Sequence, residues 1–195
     1  MRPAIGLLLA AAAFAQEYVV EGDSTSAVRV IAYEDLQCPD CAVYRKMLDE
    51  KLLPKYGKSV AFEHREFPLA KHKWARPAAI AARYFGSIKP ETGIVFRRYC
   101  SDHFLDITPE NFAETVKKFA AANGADPAAA VAALDDKRLA KIVEDEFQEG
   151  VARGVARTPT VFVNGEPFIE NFTFEQISKS IDAALATLIQ KTTKK

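Results

Sequence analysis

The fold is decided by one stretch of the chain, residues 28–48, which reads VRVIAYEDLQCPDCAVYRKML. Its first six residues are mostly apolar and β-branched, a pattern typical of a strand covered on both faces. From Cys41 onward the apolar spacing becomes helical, because Val43, Met47 and Leu48 share one face of a helix. The sequence therefore predicts a strand and a helix joined by a loop that carries two cysteines.

A second strand is predicted beyond this helix, which Pro54 and Gly57 are expected to end. Residues 60–65 alternate between the two faces of a strand and lead to Phe67 and Pro68. A strand, a helix and a second strand in this order form a βαβ unit, in which the two strands are parallel.

The rest of the chain divides into a helical block and a second strand-forming segment. No convincing strand occurs between about residues 73 and 152, where the apolar spacing predicts several helices. Extended structure returns at residues 160–163, and Asn164-Gly165 is a strong hairpin signal before residues 167–169. A closing helix carries Phe174 to Leu188. The sequence thus predicts one α/β domain in which a helical insertion separates a βαβ half from a ββα half.

The composition is typical of a globular protein rather than of a disordered or membrane-embedded one. Hydrophobic residues make up 49% of the 195 residues and charged residues 27%. The 26 basic residues balance the 26 acidic ones, so the net charge gives no long-range attraction to nucleic acid or to an anionic membrane. No nucleic-acid partner is therefore expected.

Residues 1–15 are predicted to be a signal peptide rather than part of the fold. Arg2 gives a basic start, residues 5–14 form an apolar run, and Ala13-Phe14-Ala15 fits the small residues of a cleavage site. The run is about half of the roughly 20 residues that a membrane span needs. We expect the mature domain to comprise residues 16–195 and to be periplasmic or secreted.

The cysteine pattern is typical of a redox pair. An odd number of cysteines, with Cys38 and Cys41 so close together, makes a structural disulfide or half of a metal site the weaker alternatives. The start of a helix offers free N–H groups and the positive end of the helix dipole, and both favour a thiolate on Cys38. Cys41, one turn further and more enclosed, can then attack the same sulfur.

The two residues between the cysteines, Pro39 and Asp40, are expected to tune the redox pair. A carboxylate at Asp40, beside Cys38, disfavours the thiolate and draws the pair toward the reducing side. The alternative is that Asp40 is a solvated residue that simply suits the first turn of a helix.

A second candidate segment is Thr158-Pro159, directly before the strand of the predicted hairpin. A proline is tolerated at the first position of a strand because its missing N–H is not needed there. A cis peptide bond would leave the Thr158 backbone free to pair with an extended substrate, but trans is the default when spacing alone is considered.

Three segments together resemble the DsbA-like family of thiol–disulfide oxidoreductases, within the thioredoxin superfamily. They are IAYEDLQCPDC at 31–41, REFPL at 65–69 with His72 after it, and GVARTPTVFVNG at 154–165. The resemblance covers about residues 27–187 and implies a thioredoxin fold with the helical insertion at about 73–152.

The resemblance also implies roles for the site residues. Cys38 would be the exposed nucleophile, Cys41 the resolving thiol, and Pro159 a cis-proline that faces them, with Thr158 binding substrate. Members of the superfamily often hold a buried acidic residue six positions before the first cysteine, where this chain has Ala32. Whether a neighbouring carboxylate takes that place is left open by the sequence.

The remaining cysteine and histidines are interpreted as structural. We expect Cys100 to be a buried thiol outside the exchange, although Cys100 and His103 have the spacing of two zinc ligands. His64 and His72 are expected to be structural or surface residues. No metal and no cofactor are predicted.

The resemblance implies an exported enzyme that exchanges disulfides with folding proteins. Its substrates would be exported proteins with free thiols or disulfides, and a membrane quinone-linked partner would reoxidise it. The absence of a separate dimerisation domain favours an oxidase. A reductase or isomerase, and a metal-binding or chaperone module of the same fold, are the alternatives.

Overall fold

The computed structural model describes residues 18–192, so the predicted signal peptide at residues 1–15 lies outside the described residues. A five-stranded sheet forms the centre of the fold, with the strand order β1-β3-β2-β4-β5. The strands are β1 (Val19–Gly22), β2 (Arg29–Glu34), β3 (Ala61–Glu66), β4 (Thr160–Val163) and β5 (Glu166–Ile169).

Helices surround the sheet and fill the segment between β3 and β4. A π-helical stretch, Leu48–Leu52, joins the first two helices, and a short 3-10 turn, Ala133–Asp135, precedes α7. The α-helices are α1 (Pro39–Met47), α2 (Leu53–Tyr56), α3 (Ala75–Ile88), α4 (Pro90–Asp102), α5 (Phe112–Ala122), α6 (Pro127–Ala132), α7 (Lys137–Ala152) and α8 (Phe174–Thr192).

The strand pairing confirms the two predicted halves of the sheet. β2 and β3 are parallel, whereas β4 pairs antiparallel with both β2 and β5. Asn164 and Gly165 form the hairpin turn with φ angles of 46° and 97°, the left-handed values that this pair of residues adopts readily. The arrangement is a thioredoxin fold with helices α3 to α7 inserted between its halves. The edge strand β1, which pairs antiparallel with β3, was not predicted.

Two expectations for the first helix are wrong. The spacing puts Val43 on one apolar face with Met47 and Leu48, but Val43 is 65% exposed, because the helix instead buries Cys41, Tyr44 and Leu48 at i, i+3 and i+7. Pro54 does not end the helical segment, which continues to Tyr56 and ends at Gly57, the other residue expected to stop it. The proline directly follows the π-helical stretch, where the Leu53 N–H donates to the Leu48 carbonyl oxygen five residues back.

Two apolar cores support the loop that carries the redox pair. One lies between the sheet and helices α1 and α8, and includes Val30, Phe62 and Ile177. The other fills the helical insertion and includes Trp74, Phe85, Phe96 and Phe119. Leu36, two residues before Cys38, packs into the second core. The loop before the first cysteine is thus anchored to the insertion as well as to the sheet.

Candidate active site

Cys38 stands where the end of β2 meets the start of α1. It is the N-cap residue, with extended backbone angles (φ −81°, ψ 124°), and Pro39 follows at the first helical position. Proline suits this position because the first N–H groups of a helix have no partner within the helix. The backbone N–H of Cys38 donates to the carbonyl oxygen of Asp35 at 3.0 Å. The strand end therefore fixes the nucleophile's backbone.

Both cysteines of the pair are free thiols with little exposed surface, 6% for Cys38 and 4% for Cys41. Cys38, expected to be the exposed thiol, is thus only slightly more exposed than Cys41. In its thiol form, Cys38 Sγ donates to the Thr158 carbonyl oxygen at 3.3 Å.

The pKa values of the two thiols separate them far more clearly than their exposure does. Hydrogen bonding to the Cys41 thiol lowers the pKa of Cys38 to about 6 against the effect of burial, helped by the Thr158 side chain and by the backbone N–H groups of Cys41 and Asp40. Burial raises the pKa of Cys41 well above its usual value, and the charge of Glu34 raises it further. At neutral pH, Cys38 is a thiolate and Cys41 a thiol.

The peptide bond between Thr158 and Pro159 is cis, as the family resemblance implied. The hydrogen bonds of its neighbours hold this segment at the start of β4. Thr160 Oγ1 donates to the Arg157 carbonyl oxygen at 2.7 Å, and the Glu170 N–H donates to the Pro159 carbonyl oxygen at 2.9 Å. Thr158 therefore lies against Cys38, although 120 residues separate the two in sequence.

Two of the carboxylates near the pair are buried, and the sequence left this point open. Glu34 and Asp35 are 4% and 1% exposed, whereas Asp40 is exposed. Ala32, where the superfamily often has an acid, is also buried. Glu34 lies two residues further on, on the same face of β2, because side chains alternate along a strand.

Glu34 belongs to a row of buried charges across three strands, which we call the carboxylate–histidine row and which consists of Glu21, His64 and Glu34. The Glu34 carboxylate accepts from His64 Nδ1 at 2.6 Å, and the Glu21 carboxylate accepts from His64 Nε2 at 2.9 Å. Arg45 and Arg98 bind Glu21 at 2.5 and 2.6 Å. Because each of these three groups has an oppositely charged neighbour, all three stay ionised despite their burial.

The pKa shifts in the row follow from these contacts. Burial alone would raise the pKa of both carboxyl groups, but His64 and the arginines hold the pKa values of Glu21 and Glu34 below the usual value. Burial alone would lower the pKa of His64, but the two carboxylates raise it. His64 was expected to be structural or on the surface, and the structure places it inside this row.

The other two residues singled out in the sequence lie apart from the row. Cys100 is fully buried in the core of the insertion, as expected, and burial raises the pKa of its thiol. His103 is exposed at the end of α4, where its ring packs on that of Tyr99. Between residues 18 and 192, no cluster of three or more His, Cys, Asp or Glu side chains is placed to hold a metal ion.

The fold and the paired thiols define a thioredoxin-fold protein with a Cys-x-x-Cys centre and a cis Thr158-Pro159 bond. A family model described as "Thioredoxin" matches residues 15–183. The chain belongs to this family.

Two solved structures and one curated relative document the similarity. Wolbachia pipientis alpha-DsbA1 superposes with a TM-score of 0.79 at 18% identity, over 90% of this chain and 94% of that one. BdbD from Bacillus subtilis gives 0.73 at 21% identity, over 85% and 93%. A Rickettsia prowazekii protein assigned as a protein-disulfide oxidoreductase is 30% identical over 171 residues, which are 86% of this chain. The chain spans 61% of the length of that relative.

Proposed function

We propose that this protein is an exported thiol–disulfide oxidoreductase that oxidises folding proteins through Cys38 and Cys41. The observation that carries the proposal is the opposite pKa shift of the two thiols beside the cis-proline segment. Such a shift gives one thiol the role of attacking and leaving group and the other the role of resolving group.

In the oxidase direction the cycle starts from a disulfide between Cys38 and Cys41. A substrate thiolate attacks Cys38 Sγ, the bond to Cys41 breaks, and Cys41 leaves and takes up a proton. A second substrate thiolate then attacks the substrate sulfur of the mixed disulfide, and Cys38 leaves as a thiolate. The substrate loses two electrons and the protein dithiol gains them, so a membrane quinone-linked partner is proposed to reoxidise the pair.

The low pKa of Cys38 favours this direction, because a stable thiolate is a good leaving group. At pH 7, a pKa of about 6 leaves about ten thiolates for each thiol. This ionisation stabilises the reduced protein by about 1.4 kcal/mol, which corresponds to roughly 30 mV for a two-electron couple. Asp40 opposes this effect only weakly, since its exposed carboxylate is screened by solvent.

Substrate recognition is assigned to Thr158 and Pro159. The Thr158 carbonyl oxygen lies 3.3 Å from the Cys38 sulfur, and the cis segment before β4 would offer an extended substrate a strand-like partner. The proposed substrates are exported proteins with free thiols, which places the enzyme in the periplasm or outside the cell. Between residues 18 and 192, no helix is long and apolar enough to cross a membrane.

The direction of exchange is tested by giving the protein two substrates. The oxidised protein is mixed with a reduced, unfolded test protein that regains activity when its disulfides form, and the reduced protein is mixed with insulin. We expect faster oxidation than reduction, full loss in Cys38→Ser and no change in the matched cysteine control Cys100→Ala. Faster insulin reduction would favour the reductase alternative, and wild-type turnover by Cys38→Ser would refute the assignment.

Export is tested separately with the full chain. We expect the secreted form to begin at Gln16, and a form without residues 1–15 to stay in the cytoplasm. Recovery of an uncleaved chain from the cytoplasm would contradict the proposal.

A further inference from the structure

A fully buried carboxylate next to the redox pair, that of Asp35, has no role in the exchange as described so far. Three donors surround it. Its Oδ1 accepts from the Gln37 N–H at 2.8 Å, and its Oδ2 accepts from the Leu69 N–H at 2.7 Å and from His72 Nδ1 at 2.8 Å. These bonds tie the loop before Cys38 to the loop after β3.

The backbone of the same residue touches both redox cysteines. The carbonyl oxygen of Asp35 accepts from the Cys38 N–H at 3.0 Å, and the N–H of Asp35 donates to Cys41 Sγ at 3.4 Å. A hydrogen bond donated to sulfur favours the thiolate over the thiol. The position of this one peptide therefore affects the group that has to become an attacking thiolate.

We propose that Asp35 and His72 are positioning residues, which hold the Asp35 N–H against Cys41 Sγ and thereby speed the resolving step. The inference rests on the proposed function and adds residues that act through Cys41. His72 is the side chain in this arrangement that reaches solvent, with 15% of its surface exposed. Its ring is the one partly exposed side chain among the three donors to the Asp35 carboxylate.

The step can be followed with glutathione disulfide and the reduced protein. The Cys38 thiolate attacks one sulfur of glutathione disulfide, the S–S bond breaks, and one glutathione thiolate leaves. Cys41 then loses its proton to solvent and attacks Cys38 Sγ. The mixed disulfide breaks, and the second glutathione leaves as a thiolate. Two electrons pass from the protein dithiol to glutathione disulfide, and the Asp35 N–H stabilises the charge on Cys41 only in the second step.

Two substitutions at His72 separate a positioning role from a merely structural one. The bond to Asp35 is made by Nδ1, and the amide nitrogen of asparagine lies the same number of bonds from Cα. His72→Asn can therefore keep the donor, whereas His72→Leu, which is similar in size, removes it. His103→Leu makes the same change at an exposed histidine that pairs with Asp106, and serves as the control.

The experiment measures the two steps separately by acid quench and mass spectrometry of the glutathione adduct. In His72→Leu we expect the adduct to accumulate because resolution slows about tenfold, the effect of losing a hydrogen bond to a charged group. Formation of the adduct should stay within about twofold of wild type. His72→Asn should resolve near the wild-type rate, and His103→Leu should match wild type in both steps.

Several outcomes would overturn the inference. They are wild-type resolution in His72→Leu, equal slowing of both steps, or equal slowing by His72→Asn and His72→Leu. Circular dichroism and the thermal midpoint check that each variant is folded. If His72→Leu does not fold, Asp35→Asn takes its place, since its amide can offer only one oxygen to the three donors, and the same criteria apply. A wild-type protein that never forms the adduct at Cys38 would instead refute the proposed function.

Discussion

Replacing Cys41 by alanine should raise the pKa of Cys38, because the Cys41 thiol is the largest cause of the low value. Alanine removes that hydrogen-bond donor and leaves the start of α1 in place. The Cys41→Ser variant is the matched control, since its hydroxyl can still donate to the Cys38 thiolate. All variants carry Cys100→Ala, so that Cys38 is the only thiol left in the two Cys41 variants.

The size of the effect follows from the shift itself. The pKa of Cys38 is lowered from 9.0 to about 6, which corresponds to a stabilisation of the thiolate relative to the thiol by about 4 kcal/mol. The Thr158 side chain and the backbone N–H groups of residues 40 and 41 remain in the alanine variant, so we expect a rise of about one to two units. At pH 7 the thiolate fraction should then fall from about nine-tenths to between about a half and a tenth.

The thiolate is measured by its ultraviolet absorbance during a pH titration, and its reactivity by the rate of alkylation at each pH. Both should shift together, with a smaller rise in Cys41→Ser than in Cys41→Ala. If Cys38 in the alanine variant still titrates near 6, the thiolate does not depend on its partner. The low pKa would then have to come from the helix start and the Thr158 side chain alone.

Three further predictions test the surroundings of the pair. Asp40→His should make the couple more oxidising, up to roughly 30 mV for each unit by which the Cys38 pKa falls, as measured by the glutathione equilibrium. Cys100 should resist labelling in the native protein, and fast labelling would contradict its burial. The stabilisation from His64 and its two carboxylates should be complete between pH 4.5 and 6.5 and decline as pH rises through the raised pKa of His64. His64→Gln should cost about 3–5 kcal/mol in denaturant unfolding and weaken this pH dependence.

The parts of the fold that follow local rules could be predicted from the sequence. The apolar run before Cys38 and the Asn164-Gly165 turn each have one favoured local structure, and the structure contains both. The cis bond at Pro159 is different, because its favoured state from spacing alone is trans. Only the combination of three motifs in order, which ties this proline to a distant cysteine pair, pointed to cis.

The burial of individual side chains depends on the partner element and could not be read from one segment alone. Val43 is apolar and at helical spacing from Met47, yet the face of α1 that meets the core is set by Cys41 and Tyr44. The edge strand β1 has only four residues, which is too short for a periodic pattern to stand out. Both errors arise because packing overrides local preference.

The buried charges near the pair show most clearly what a linear reading misses. The charged residues Glu21, His64 and Glu34 lie on three different strands, and polar residues within a strand segment normally predict the solvent face. In this fold, α1 and α4 bring Arg45 and Arg98 to Glu21, so that the row is neutralised from outside the sheet. Ala32 has no carboxylate, but Glu34 lies two residues further along the same face of β2. The charge of the Glu34 carboxylate helps to keep Cys41 protonated. The asymmetry of the two thiols is therefore a property of the whole sheet and its helices rather than of the Cys-Pro-Asp-Cys motif alone.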